Sequence, residues 1–152
     1  MGIAPDDPRA EDVRALLHRH LTFARAVTPP EDVHALDLDG LLDPAISFYS
    51  CREEGRLLAI GALKELDDEH AEVKSMHTAE AARGRGLGRT MLEHLLAVAR
   101  ERGYRRVSLE TGAMDAFAPA RALYASAGFT VSGPFGDYPD SPNSVYMTME
   151  VR

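Results

Sequence analysis

The sequence has little cysteine, little basic charge and no long apolar run, and each lack excludes a class of protein. Its one cysteine, Cys51, cannot form an intramolecular disulfide, and no Cys/His set has the spacing of a zinc site. Lys and Arg number 17 against 24 Asp and Glu, and the formal charge of -7 disfavours nucleic acid as a partner. No apolar run suits a membrane span or a signal peptide. We therefore expect a cytoplasmic protein that binds no metal, nucleic acid or membrane.

The chain has the length of one domain and alternating helix and strand patterns. At 152 residues, without repeats or linkers, it predicts a single domain over residues 1–152. Asp7-Pro8 resembles a helix cap, and the apolar spacing after it predicts a helix that ends before Pro29. The later predicted elements are three strands in an antiparallel meander (46–51, 57–64, 71–78), a helix (87–102), a strand (106–111), a helix (119–127) and two closing strands (129–132, 145–151). Together they predict one mixed sheet flanked by helices.

The most informative stretch is the glycine-rich segment between the third predicted strand and the helix over 87–102. It reads Arg83-Gly84-Arg85-Gly86-Leu87-Gly88. Its glycines allow a tight turn, so that unpaired amides at the start of the helix can converge on a pyrophosphate. Arg83, Arg85 and Arg89 can contact phosphates directly. A plain strand-to-helix connection with solvated arginines is the structural alternative, and the register matches neither a dinucleotide-binding fingerprint nor a Walker loop.

Two motifs resemble those of the GNAT superfamily of acyl-CoA-dependent N-acetyltransferases. Arg83, Gly86 and Gly88 match the cofactor motif Gln/Arg-x-x-Gly-x-Gly/Ala of that family. Leu123-Tyr124 with Gly128-Phe129 matches its Leu-Tyr-x-x-x-Gly-Phe signature. The resemblance extends over roughly residues 46–150, so the coincidence of one short motif does not explain it.

The resemblance implies a fold and a cosubstrate. The fold is α/β of the α+β type: a single-domain GNAT-like fold with a mixed, mostly antiparallel sheet of about six to seven strands, about four helices and a splayed strand pair at the acetyl-CoA site. Acetyl-CoA is the acyl-donor cosubstrate, and no metal is implied. The residues implied to hold acetyl-CoA are Met76, His77, Thr78, Arg83, Gly84, Arg85, Gly86, Leu87, Gly88 and Arg89. Many members dimerise, and a homodimer is compatible with this sequence, although no feature of it fixes an interface.

Transfer of an acetyl group to an amine needs a proton acceptor, and Glu72 is the first candidate. It lies eleven residues before the cofactor motif, the spacing at which some GNAT enzymes carry their general base. Strand alternation predicts that Lys74, Met76 and Thr78 share its face, and that Lys74 pairs with it and keeps it ionised. A Glu-Lys pair on a solvated sheet face is the structural alternative. Glu110, on the next strand, is the rival carboxylate, either as the base or as a binder of a cationic substrate.

Tyr124 matches the tyrosine that, in many GNAT members, protonates the departing thiolate. A phenol with an ordinary pKa of about 10 keeps its proton at neutral pH and can supply it. The structural alternative is an amphipathic-helix tyrosine with its ring in the core. Phe117 departs from the family pattern, because many members carry a cofactor-contacting asparagine there. We expect its ring to pack against the core or the pantetheine arm, and the loss to affect transfer geometry more than cofactor binding.

Candidates for the acceptor site are weaker. The loop over 133–139 is rich in turn residues and aromatics, and in GNAT folds this loop often borders the acceptor site. Asp137 and Tyr138 are therefore candidate contacts for an ammonium or polar acceptor, with a proline-braced surface loop as the alternative. His34 is a further candidate, as is His77, although lone histidines are more often structural.

The sequence thus predicts an acetyl-CoA-dependent N-acetyltransferase that acts by direct transfer, with Glu72 and Tyr124 as its proton-transfer residues. The acceptor is expected to be the primary amine of a small molecule, because the short chain offers no evident groove for a protein tail. The alternatives are a non-catalytic acyl-CoA-binding or sensing module, and a protein acetyltransferase that modifies a lysine or an N-terminus.

Overall fold

The computed structural model describes residues 2–30, 33 and 36–151, which form one seven-stranded sheet with a helix-packed core on each face. The strands are β1 (Gly2–Pro5), β2 (Ile46–Glu53), β3 (Arg56–Asp67), β4 (His70–Thr78), β5 (Arg106–Gly112), β6 (Thr130–Ser132) and β7 (Ser144–Glu150). The α-helices in these residues are α1 (Glu11–Val27), α2 (Leu38–Leu41), α3 (Leu87–Glu101) and α4 (Ala118–Ala127). The expected α/β fold of the α+β type is confirmed.

The sheet is mixed but mostly antiparallel. Its order is β1-β2-β3-β4-β5-β7-β6, and every neighbouring pair is antiparallel except β4 with β5. The predicted meander is β2-β3-β4. Parallel strands need a crossover, and α3 makes it on the way from β4 to β5. None of the helices in the described part of the chain is long and apolar enough to cross a membrane.

The two parallel strands part soon after they meet. They pair only where His70–Glu72 of β4 lies beside Arg106–Ser108 of β5. From there β5 continues to pair with β7 as far as Gly112. The sheet therefore opens between β4 and β5, as the splayed pair of the resemblance implied, and the parted strands present backbone amides and carbonyls to the opening.

A β-bulge interrupts β4 next to this opening. The register with β3 moves from Ala62 opposite Lys74 to Ile60 opposite His77. Two residues of β4 therefore oppose one residue of β3. The first of the two, Ser75, has a positive φ of 56°, a backbone conformation that residues other than glycine rarely adopt.

The bulge overturns the predicted alternation along β4. Lys74 and His77, three residues apart, face the same side, because their partners on β3 both belong to the core beneath α1. Met76 packs against the core on the α3 side. The prediction that Met76 and Thr78 share the face of Glu72 is therefore wrong, since one extra residue reverses the alternation beyond the bulge.

Opposite the bulge, α3 packs unusually close to β3 at Gly61. A Cβ at Gly61 would lie 2.6 Å from Cγ of Met91 on α3 and 3.3 Å from a methyl of Leu95. Only glycine therefore allows this approach. The buried face of α3 is the predicted one, with Leu87, Met91, Leu92, Leu95, Leu96, Val98 and Ala99 in the core.

The N-terminal region differs from the prediction. Helix α1 begins at Glu11, with Ala10 in the N-cap position, so Asp7 does not cap it. The Asp7 carboxylate instead accepts the Arg9 amide at 2.9 Å and pairs with the Arg9 guanidinium at 3.0 Å. This local turn satisfies the carboxylate four residues before the helix. The short elements β1 and α2 were not predicted either.

Candidate active site

A cavity of about 510 Å³ lies in the opening between β4 and β5. It is bounded by α1, the start of α3, α4 and the loop between β6 and β7. The predicted site residues that line it are Glu72, Met76, His77, Thr78, Arg83, Gly88, Glu110, Tyr124 and Tyr138. Those that do not line it are Gly84, Arg85, Gly86, Leu87, Arg89 and Asp137, and His34 lies outside the described residues.

The glycine-rich loop forms an open, amide-lined end of the site. Gly84 and Gly86 have positive φ angles of 82° and 75°, and no atom lies within 4 Å of a Cβ built at either position. Gly86 is the N-cap of α3, and the first turn of the helix carries no acidic side chain. The first amides of a helix lack intrahelical acceptors and lie at its positive end. This geometry fits the pyrophosphate of acetyl-CoA.

The three arginines of the loop have different surroundings. Arg83 lines the cavity. Arg85 pairs with Glu53 at 2.6 Å, and Arg89 contacts the Ser126 hydroxyl. The ion pair of Arg85 is between side chains 42% and 43% exposed, so it stabilises the protein little and a bound phosphate can compete with it.

At the opposite end of the cavity, three side chains form a closed hydrogen-bonded cluster. Lys74 Nζ donates to Glu72 Oε2 at 3.0 Å and to the Tyr138 hydroxyl at 2.8 Å. The Tyr138 hydroxyl in turn donates to Glu72 Oε2 at 2.5 Å. The Glu72 and Lys74 side chains are only 4% and 8% exposed. The predicted pairing of Lys74 with Glu72 is therefore present, but it is buried rather than solvated.

Tyr124 and Glu110 approach the cavity from α4 and β5. Tyr124 is 9% exposed, and burial raises its pKa to about 12, with the Glu110 charge adding to the rise. The phenol is therefore protonated at neutral pH. Glu110 lines the same cavity, so two carboxylates, Glu72 and Glu110, border it.

Two histidines meet on the α1 side of the cavity. His20 Nδ1 and His77 Nδ1 lie 3.2 Å apart. Burial lowers the pKa of both, and for His77, where His20 and Arg83 add to the effect, it lowers the pKa to about 4. Both rings are thus neutral at neutral pH. His20 was missed from the sequence, although it lies four residues from both Leu16 and Ala24 on the buried face of α1.

Phe117 fills the place of the family's asparagine without replacing its polar contact. Its ring lies against β5, where a Cβ at Gly112 would be 2.2 Å from the ring. It also meets Phe23 of α1 edge-on, with ring centroids 5.4 Å apart. Both rings line the cavity, so this wall is apolar at the position where many GNAT members carry an asparagine.

The loop between β6 and β7 carries two candidate residues, Asp137 and Tyr138, and only Tyr138 reaches the cavity. A turn closed by the Tyr138 amide and the Phe135 carbonyl, at 3.2 Å, contains Gly136 with a φ of 56°. It directs Tyr138 into the cavity and leaves Asp137 exposed. The structure therefore does not bring Asp137 to the site, because neighbouring residues of a tight turn point in different directions.

Two solved structures that share this fold are described as acyltransferases. The chain superposes with a TM-score of 0.84 and 26% identity on a provisionally named acyl-CoA N-acyltransferase from Klebsiella pneumoniae, over 99% of this chain and 97% of that one. It superposes with a TM-score of 0.71 and 20% identity on a GNAT family acetyltransferase from Elizabethkingia anophelis with acetyl-CoA bound, over 98% and 97% of the chains. Fold and site together define an acyltransferase.

Sequence comparison assigns the family. Residues 11–129 match the profile of the Acetyltransferase (GNAT) family. The chain is 45% identical over 151 residues to the uncharacterized N-acetyltransferase YsnE of Bacillus subtilis, covering 99% of this chain and 100% of YsnE. It is 35% identical over 146 residues to the IAA acetyltransferase of Azospirillum brasilense, covering 95% and 94%. This chain belongs to the GNAT family of N-acetyltransferases.

Proposed function

We propose that this enzyme moves an acetyl group from acetyl-CoA directly to the primary amine of a small molecule. The observation that carries the proposal is the continuity of the cavity. One space extends from Gly88, at the start of α3, past Tyr124 to the buried carboxylate of Glu72. A phosphate-binding end, a proton donor and a proton acceptor thus border the same space.

The donor would be held mostly by backbone. The pyrophosphate would bind the open amides at the start of α3, with Arg83 beside it. The pantetheine arm would lie along Met76 to Thr78, where β4 has parted from β5 and its edge faces the cavity. Arg85 and Arg89 would reach the phosphates only by leaving Glu53 and Ser126.

Proton transfer falls to two side chains. Attack of the amine nitrogen on the thioester carbonyl forms the C–N bond and leaves a positively charged nitrogen, whose proton Glu72 would accept. Cleavage of the C–S bond leaves a thiolate, to which Tyr124 would donate its phenolic proton. Burial, together with the Glu110 charge, raises the pKa of Tyr124 to about 12, so its phenol keeps the proton at neutral pH until a thiolate forms beside it.

A small acceptor suits the dimensions and closure of the site. The cavity of about 510 Å³ must also admit the pantetheine arm. Tyr138 closes the acceptor end through its hydrogen bonds with Glu72 and Lys74. Glu72 and Glu110 both line the cavity, and their carboxylates can accept hydrogen bonds from an amine.

The test is a calorimetric titration with acetyl-CoA, followed by a free-thiol release screen in the same preparation. The screen covers amino acids, polyamines, aminoglycosides and short peptides. We expect binding, together with thiol release that depends on a small amine. Release with peptides alone would make the enzyme a protein acetyltransferase, and binding without release by any amine would favour a sensing module.

A further inference from the structure

Lys74 is an unusual residue for a cavity wall. The chain has lysine only at positions 64 and 74, and all its other basic side chains of this length are arginines. Lys74 is 8% exposed, although a buried ammonium is costly unless its hydrogen bonds are satisfied. Two of its three N–H groups bind Glu72 Oε2 and the Tyr138 hydroxyl. The cost of burial is thus offset by this cluster.

The cluster engages only one oxygen of Glu72. Lys74 Nζ and the Tyr138 hydroxyl both donate to Oε2. Among the described residues, no hydrogen bond to Oε1 occurs. A carboxylate held at one oxygen by two donors cannot rotate freely about its last bond, so the second oxygen keeps a fixed direction. Glu72 lines the cavity and two donors already engage its Oε2, so Oε1 is the oxygen left to accept a proton from a bound amine.

Tyr138 brings a distant segment to this point. It lies 66 residues from Glu72 in the chain, on the loop between β6 and β7. Its ring packs edge-on against Phe135 at 5.1 Å and tilted against Tyr146 at 5.7 Å. The Tyr146 hydroxyl donates to the Pro139 carbonyl at 2.5 Å, which ties the loop to β7. The hydroxyl that reaches Glu72 is therefore held from behind by aromatic packing.

We propose that Lys74 and Tyr138 are positioning residues for the acetyl transfer, which fix Glu72 Oε2 so that Oε1 faces the acceptor amine. The inference rests on the proposed role of Glu72 as proton acceptor. Neither residue exchanges a proton with the substrate, and both act through Glu72.

The test is a mutant cycle in steady-state thiol release from acetyl-CoA. The acceptor is the amine found in the screen, or water where no amine gives turnover. We expect Tyr138→Phe and Lys74→Met each to lower kcat about 10- to 100-fold, because displacement of a reacting group costs rate. The KM for acetyl-CoA should stay unchanged. Lys74→Arg, which keeps the charge, should recover part of the loss.

The decisive comparison is made in the background of Glu72→Gln. If Tyr138 acts through Glu72, adding Tyr138→Phe to Glu72→Gln should cause no further loss of kcat. If Tyr138 had a purely structural role, the fold-losses of kcat caused by Tyr138→Phe and by Glu72→Gln would multiply in the double variant. Such a multiplied loss would overturn the inference.

Two controls separate positioning from other effects. Lys64→Met removes the other lysine, which faces Glu72 across β3 and β4 in register, and it should lower kcat much less than Lys74→Met. An equal loss of kcat in Lys64→Met would mean that any nearby positive charge has this effect, and it would overturn the inference. Thermal unfolding of every variant tests folding, and Tyr138→Phe keeps the Glu72–Lys74 ion pair should Lys74→Met fail to fold.

Failure of the proposed function gives a different result. If Glu72→Gln keeps full kcat, the assignment of the base is wrong, whatever Tyr138→Phe does. If Glu72→Gln loses kcat while Tyr138→Phe and Lys74→Met do not, the base stands and the positioning role is wrong.

Discussion

The two ends of the cavity are built in opposite ways. The proposed phosphate end is the loop over the consecutive residues 83–89, of which Arg83 and Gly88 line the cavity, and Gly84 and Gly86 in it have positive φ. The acceptor end consists of side chains from β4, β5 and a loop, and Glu72 and Tyr138 are 66 residues apart. The first end depends on local backbone geometry, whereas the second exists only when the whole sheet is assembled.

The ends also differ in their exposure to water. At the phosphate end the ion pair of Arg85 with Glu53 is 42% and 43% exposed, so it can be exchanged for a ligand. At the acceptor end the ion pair of Lys74 with Glu72 is 8% and 4% exposed, so its partners cannot be separated cheaply. One end is suited to bind and release a cosubstrate, and the other to hold a fixed geometry.

The largest expected effect is at the acceptor end. Glu72→Gln removes the proposed proton acceptor while keeping its shape, and should lower kcat about 10²- to 10⁴-fold with acetyl-CoA affinity unchanged. Thiol-release kinetics and calorimetry measure the two quantities. Glu110→Gln is the matched variant, with a smaller loss expected. A larger loss in Glu110→Gln would transfer the role of base to β5.

The converse effect is expected at the phosphate end. Gly86→Glu forces a side chain at a φ of 75° and puts a negative charge beside the phosphates, so acetyl-CoA should bind about 100-fold more weakly or worse. Calorimetry measures the affinity. Gly103→Glu, at the other end of α3 with a φ of 83°, imposes the same strain without the charge at the site. Equal losses in both variants would leave strain as the whole explanation.

Tyr124 lies between the two ends, and its variant tests whether they are independent. Tyr124→Phe should lower kcat about 100-fold and leave the acetyl-CoA affinity unchanged, since only the donated proton is lost. Single-turnover measurements check that chemistry limits the rate. Tyr104→Phe is the matched control, because the Tyr104 hydroxyl donates to Glu65 at 2.6 Å and does not line the cavity. Unchanged chemistry in Tyr124→Phe would rule out the acid role.

The smallest effect concerns stability at the wall between the ends. Burial lowers the pKa of His77 from 6.5 to about 4, so between these values the unfolded chain binds more protons than the folded one. This contribution to stability is complete above about pH 6.5 and is lost as the pH falls toward 4. His77→Gln should make the melting temperature depend less on pH in this window. His18→Gln, at an exposed position, should leave the pH dependence of the melting temperature as in the parent protein. An equally reduced pH dependence in His18→Gln would count against His77 as the cause.

The sequence predicted the elements with strong local signals. The strands β2, β3 and β4 and the helices α3 and α4 were found within a few residues, because alternation, an apolar helix face and glycine caps are local. β1 was missed, since Gly2–Pro5 is four residues long and owes its strand conformation to pairing with β2. Asp7 was misread because a local turn competes for the same carboxylate.

The candidate site was predicted unevenly for the same reason. The motif around Gly86 predicted a glycine turn at the start of a helix, and the pairing of Lys74 with Glu72 was predicted from their spacing in one strand. The bulge at Ser75 could not be predicted, because nothing local demands a positive φ from serine. Nor could the contact of Tyr138 with Glu72, which depends on how β6 and β7 fold back beside β5.

Gly61 affects the relative position of the two ends, although it does not line the cavity. It leaves room for Met91, so the distance between β3 and α3 is set by the hydrogen atom that glycine carries in place of a side chain. The cofactor loop leads into α3, and the bulge of β4 lies directly across from Gly61. A methyl group added at Gly61 would push α3 away from β3 and so move the proposed phosphate site relative to the proposed base, without touching either. The distance between the proposed acetyl-donor site and the proposed base therefore depends on a residue that is part of neither.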